Sequence, residues 1–304
     1  MTRRHLLRWA ALATAMILLA GCSGGGASGG PRGTGSDIGP SGLREVRSIL
    51  YAKALTEVAQ DLALDVYAPT GAGPFLMAIY SPGGEQTKEH GITIARKLAE
   101  RGMVVLVADH HHGTAMDDPP LGIAERGILE QTACALRMAR ELAPEYGGDP
   151  AGITWTGYSF GGIIGFEIAL ADADAEQQWD AFVAEHGGAG PAYKCFSEEA
   201  PVPVTALVVT GSVRTIDMWP DWYAADPALG KFVAKTVQIG NSPDLAVRMI
   251  HGTADKEVPY ALAEELVAQL AHAGYDAELT TVQGGDHTPN TELMVSTVMA
   301  LPGR

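Results

Sequence analysis

The 304 residues are 46% hydrophobic and 19% charged, with a formal net charge of −15. That balance suits a globular chain holding one large domain with a sizeable core. It excludes nucleic acid as an expected partner, because phosphate binding needs clustered lysine and arginine and the body of the chain carries no basic stripe.

The chain opens MTRRHLLRWAALATAMILLAGC, with arginines first, then a short apolar stretch, then small residues before Cys22. An apolar core this short predicts an export signal over residues 1–21 rather than a membrane span. The ending Leu19-Ala20-Gly21-Cys22 resembles a bacterial lipobox, which implies that Cys22 becomes a lipidated first residue on the outer face of the cell membrane. Arg3 and Arg4 are also similar to a twin-arginine signal, and the export route stays open. Residues 22–43, rich in glycine and serine, are expected to be a flexible tether, and residues 44–304 the folded domain.

Residues 62–67 (LALDVY) alternate like an antiparallel strand, and residues 75–80 (FLMAIY) form a continuous apolar run ending in Ser81-Pro82-Gly83-Gly84. Helical spacing over 90–101 stops at Gly102, and the β-branched run 103–108 (MVVLVA) predicts a strand buried on both faces. A long helix is expected over 123–143, with Asp149-Pro150 read as a turn feeding a short strand at 153–156 and a helix at 160–171. Strands at 204–210, 246–251 and 276–282 and helices at 259–273 and 291–300 complete the pattern. Strands alternating with helices predict an α/β class, with a mostly parallel twisted sheet covered on both faces. Residues 172–203 break the rhythm and are expected to be a small cap insertion over the carboxyl edge of the sheet, where such sheets bind ligands. Cys134 and Cys195 permit one disulfide in an exported chain, and two buried thiols remain equally open.

Gly-x-Ser-x-Gly occurs at residues 21–25, 26–30 and 157–161. Only the last lies between a strand and a helix, the context in which a sharp turn exposes a nucleophile. Ser159 is therefore the candidate nucleophile, and it needs a base held in one tautomer by a carboxylate. His287, in Gly284-Gly285-Asp286-His287 after the last strand, is placed to serve. His90, His272 and His186 read as solvent-exposed, and His251 as structural. Asp255, on the loop after the preceding strand, is the candidate acid, with Glu257 as its local competitor.

With GYSFGG at 157–162, IHGTADKEVP at 250–259 and GGDH at 284–287, residues from about 60 to 300 resemble an α/β-hydrolase of the dienelactone hydrolase-like or carboxylesterase branch. The resemblance implies an oxyanion hole built from the Phe160 N–H and, on the loop after residue 80, the Gly84 N–H, with Glu85 as the alternative donor. Pro82 stands where that branch carries a histidine, a departure that leaves the second donor open. No cofactor and no metal are implied. Asp109-His110-His111-His112 reads as a solvated loop at the rim of the site, since adjacent histidines point in different directions. Met218, Trp219, Trp222 and Tyr223 are equally read as an acyl pocket or as ordinary core.

These residues imply a serine hydrolase acting on small-molecule or lipid carboxylic esters through an acyl-enzyme. A peptidase or acyltransferase would use the same triad, although a prolyl oligopeptidase-type peptidase would need a propeller that the residues before the domain do not supply. A non-catalytic binding lipoprotein on the same scaffold is the third reading.

Overall fold

The computed structural model of the chain describes residues 42–57, 59–111, 121–186 and 191–301. Cys22, the expected signal segment, nearly all of the tether and His112 lie outside them. Strands β1 (Arg44–Ala54), β2 (Leu62–Ala68), β3 (Phe75–Ser81), β4 (Met103–Ala108), β5 (Gly148–Tyr158), β6 (Tyr193–Cys195), β7 (Val204–Thr210), β8 (Ala246–Gly252) and β9 (Asp276–Val282) form a single sheet in the order β6-β1-β2-β4-β3-β5-β7-β8-β9. From β4 to β9 in that order every pairing is parallel, whereas β2 runs antiparallel to both β1 and β4.

The central strands are apolar without interruption because both of their faces are covered. Along β4, Val104, Leu106 and Ala108 enter one core while Met103, Val105 and Val107 enter the other, the period of two that a pleated strand imposes. The first core lies under α2 (Leu121–Tyr146), α3 (Phe160–Ala169) and α8 (Tyr260–His272), and the second under α1 (Ile92–Ala99) and α9 (Thr291–Met299). Each fully buried leucine or valine adds about 2 kcal/mol of apolar transfer to the layered arrangement. Among the described residues no helix is long and apolar enough to cross a membrane.

Three parts of the architecture differ from the sequence reading. β1 was not expected, because its pairing with β2 shifts register between Val46 and Ile49 and again between Leu50 and Ala52, which breaks the alternation. Residues 149 and 150 lie inside β5 rather than in a turn. The insertion is the third, because part of it is built into the sheet as a strand. Its helix α4 (Ala175–His186) lies against α2, with Arg137 bonded to Glu176 at 3.0 Å and Arg126 bonded to Asp180. Trp179 buries itself with Leu129, Tyr223, Leu229 and Val233, the last three on or beside helices α6 (Pro220–Ala225) and α7 (Pro227–Thr236). β6 then extends the sheet beyond β1. Apolar burial at Trp179 thus packs α4 on the neighbouring helices, while β6 pairs with the last residues of β1, level with the carboxyl end of β4.

The Sγ atoms of Cys134 and Cys195 are bonded, joining α2 to β6 across 61 residues of chain. Closing a loop of that length removes denatured-state entropy worth about 4 kcal/mol in the chain-entropy account. Cys134→Ser/Cys195→Ser should therefore unfold at lower urea concentration by up to that free energy. Unchanged urea curves with and without reductant would show that the bond constrains nothing.

Candidate active site

β5 delivers the chain to the carboxyl edge of the sheet at Tyr158, and Ser159 makes the turn into α3 with φ 50° and ψ −122°. A serine in that region carries about 1–3 kcal/mol of strain, which the surroundings must hold. They do so by pinning its main chain on both sides. The Ser159 N–H donates to Thr210 O at 2.9 Å, and the Ser212 hydroxyl donates to Ser159 O at 2.7 Å. Close packing around the turn demands glycine: a Cβ at Gly157 would lie 2.4 Å from Gly161 O, and one at Gly161 would lie 2.1 Å from Ser81 O. The first turn of α3 brings the positive end of its dipole to Ser159, its N-cap residue.

The loop after β8 carries Asp255, whose Oδ1 accepts the N–H groups of Glu257 and Val258, each at 2.9 Å. Its Oδ2 faces His287 Nδ1 at 2.8 Å, and His287 Nε2 lies 2.9 Å from Ser159 Oγ. The tautomer that satisfies both contacts carries its proton on Nδ1, donates it to Asp255 and leaves Nε2 to accept from the serine hydroxyl. Burial pushes the Asp255 carboxyl up, but the bond from His287 and the two backbone N–H groups outweigh it and hold the group below the usual carboxylate range. Of the two acids weighed, Asp255 meets the histidine; Glu257 contributes its N–H and leaves its side chain exposed beside the cleft. His251, fully buried, sits with Nε2 2.8 Å from Val258 O and 3.3 Å from Asp255 Oδ2, bracing the acid's loop from below.

A cleft of about 620 Å³ opens over Ser159 and is lined by the 83–86 turn, Phe160, Ile163, Met218, Trp219 and His287. Within the turn the Gly83 N–H donates to Gln86 Oε1 at 3.1 Å and the Gln86 N–H to Gly83 O at 3.0 Å. The Gly84 and Glu85 amides take no part in these bonds. Gly84, from the loop after β3, and Phe160, the first residue of α3, thus line the same cleft as Ser159. The expectation of a solvated histidine loop is corrected: His110 is buried, its Nδ1 3.3 Å from Ser81 Oγ and its ring 5.3 Å from that of Phe160. An imidazole from the end of β4 therefore supports the loop in which Pro82 stands. Among the described residues no cluster of three histidine, cysteine or acidic side chains is arranged to hold a metal.

The aromatic segment divides. Met218 and Trp219, at and just after the end of α5 (Thr215–Met218), line the cleft, whereas Tyr223 belongs to the flank core with Trp179; the Trp222 side chain lies outside the described residues. Glu167, buried on α3, fastens α5 by accepting the Thr215 N–H at 3.2 Å and the Thr215 hydroxyl. Burial pushes its carboxyl up from the ordinary value despite those two bonds. The sequence reading missed α5 to α7, Glu167 and Tyr158 as parts of this region, and the burial of His110. The only signal for Tyr158 was its place immediately before the candidate nucleophile Ser159.

No family model matches the chain. A probable isoprenylcysteine alpha-carbonyl methylesterase of Oryza sativa subsp. japonica is 24% identical over 244 residues, covering 74% of this chain and 55% of that protein. The chain thus spans about half the length of the curated relative it matches. Among solved structures, a propionate-bound esterase of Thermogutta terrifontis superposes with a TM-score of 0.56 at 18% identity, covering 82% of this chain and 92% of the other. A truncated carbohydrate esterase from gut microbiota superposes with a TM-score of 0.57 at 19% identity, covering 88% and 98%. At that identity the likeness speaks for architecture. Strand order, the sharp turn at Ser159 and these neighbours together give the chain the α/β-hydrolase fold.

Proposed function

We propose that the protein is a serine hydrolase that cleaves carboxylic esters of small molecules or lipids through an acyl-enzyme. The observation that carries the reading is the unbroken relay from Ser159 Oγ to His287 at 2.9 Å and on to Asp255 at 2.8 Å. In this mechanism His287 takes the hydroxyl proton as Ser159 attacks the ester carbonyl, and Asp255 stabilises the imidazolium that forms. The N–H groups of Phe160 and Gly84 receive the oxyanion, helped by the N-terminus of α3. His287 then protonates the leaving alcohol, and water, activated by the same imidazole, releases the acid. The methylesterase relative and the propionate held by the Thermogutta esterase point to the same bond type. An ester-acting enzyme of the carboxylesterase branch, with Met218 and Trp219 beside the acyl group, fits the apolar wall of the cleft.

The test is a fluorophosphonate probe followed by peptide mass spectrometry. The adduct is expected on Ser159, with hydrolysis of short p-nitrophenyl esters lost in the labelled protein. Labelling elsewhere, or full turnover after labelling of Ser159, overturns the reading.

We further infer that the protein is exported and held at the outer face of the membrane through a lipid on Cys22. The N-terminal pattern supports this, as does a Cys134–Cys195 bond of the kind that persists in oxidising compartments. Metabolic labelling with an alkyne fatty acid should mark the wild-type protein and not Cys22→Ala; equal labelling of both would remove the anchor.

A further inference from the structure

We propose that Tyr158 is a positioning residue for the base: its phenol holds the main chain of His287, and its ring spaces that loop from the turn across the cleft. The proposal rests on the reading of His287 as general base, and concerns how its imidazole is kept in line.

His287 lies on the stretch between β9 and α9. The chain before it is well tied: Gly285 N–H donates to Val282 O at 3.0 Å, Gly285 O accepts from Ala254 at 2.8 Å, and Gly284 N–H donates to Thr253 Oγ1 at 2.8 Å. The chain after it is tied by the α9 cap, where Asn290 Oδ1 accepts the Leu293 N–H at 3.0 Å. For the backbone between Gly285 and Asn290, the structure gives one hydrogen bond among the described residues. It runs from Tyr158 Oη to His287 O, at 2.6 Å. The residue that carries the base is thus held in place by a phenol from the strand that carries the nucleophile.

The ring has a second role. Its centroid lies 5.2 Å from that of the His287 imidazole at 40°, while on the other side a Cβ at Gly83 would come within 2.9 Å of two of its carbons. Tyr158 therefore fills the space between the 83–86 turn and the histidine loop, and it is nearly fully buried in doing so. Burial, together with the carboxylates of Glu257, Asp255 and Asp286, pushes its hydroxyl above the ordinary phenol value, so it remains a donor throughout the neutral range. A side chain that is one residue from Ser159, bonded to His287 and packed on Gly83 couples three parts of the site in one rigid element. Geometry of this kind matters because a displacement of about an ångström at a reacting group costs rate steeply.

The experiment compares wild type with Tyr158→Phe, which keeps the ring and removes the oxygen. Three quantities are read: kcat and KM for a p-nitrophenyl ester per site titrated with fluorophosphonate, the melting temperature, and the downfield proton resonance of His287 Nδ1–H shared with Asp255. The expected result is a kcat about tenfold lower, the scale of one lost hydrogen bond. KM and melting temperature should stay nearly unchanged, and the downfield resonance should broaden as the loop moves. A kcat within about twofold of wild type with a sharp resonance overturns the proposal. So does a variant with fewer titratable sites but wild-type turnover at each, which would make Tyr158 a packing residue only. The resonance is read without substrate, so it decides the matter even for a protein that leaves every ester intact, an outcome that would count against the proposed function instead.

Discussion

His287→Ala should lower kcat for an activated ester by about 10⁴-fold or more, and adding Ser159→Ala should cost little beyond that. The reason is that the two side chains act in one event. Ser159 Oγ lies 2.9 Å from His287 Nε2, and attack on the carbonyl and loss of the hydroxyl proton belong to the same transition state. Without the imidazole the hydroxyl must give its proton to water, and a neutral alcohol attacking an ester gains nothing from the turn that exposes it. A loss of 10⁴ corresponds to about 5.5 kcal/mol of transition-state stabilisation. That exceeds what burial or the strain at φ 50° could account for by themselves. Residual turnover in both variants should reflect the Phe160 and Gly84 amides, which the substitutions leave in place. Steady-state kinetics of the two single variants and the double variant check this. Losses that multiply would show that Ser159 and His287 act independently and would remove the relay from the mechanism.

How much of this was legible in the sequence follows from the range of the forces involved. The central strands declared themselves because β4 is buried on both faces and so contains no polar residue to blur the pattern. Ser159, Asp255 and His287 were legible because each stands on a loop whose glycines, turn residues and order along the chain are local features. β1 was hidden by its register shifts. The packing of the insertion was not legible because it depends on Trp179 meeting Leu229 and Val233, residues some fifty positions away that carry no local sign of the contact. His110 was read as solvated for the same reason: its partners come from elsewhere, Ser81 from the end of β3 and Phe160 from the start of α3. The role of Tyr158 is likewise a long-range matter, since the carbonyl it holds is 129 residues downstream.

Gly161→Ala carries the second large expected effect, and it separates loop geometry from simple packing. Gly161 lies in the first turn of α3, where alanine would by propensity stabilise the helix by up to about 1 kcal/mol. The space forbids it. The new Cβ would sit 2.1 Å from Ser81 O and 2.3 Å from Pro82 O, both of them main-chain atoms at the end of β3. The helix cannot retreat, because Trp155 Nε1–H donates to Gly161 O at 3.0 Å from the buried side. The loop must therefore move, carrying the Gly84 amide with it, and a displacement of about an ångström at an oxyanion donor is worth roughly 10²-fold in kcat. Stability should fall as well, by about 1–3 kcal/mol, the usual range for an overpacked site. Gly148→Ala is the control: its Cβ would meet the buried Met77 Sδ at 2.8 Å, at the amino end of β5 and away from the cleft. That variant should lose stability with kcat per titrated site retained, whereas Gly161→Ala should lose both. A Gly161→Ala enzyme that is less stable yet turns over ester at the wild-type rate would place the second oxyanion donor somewhere other than the loop after β3.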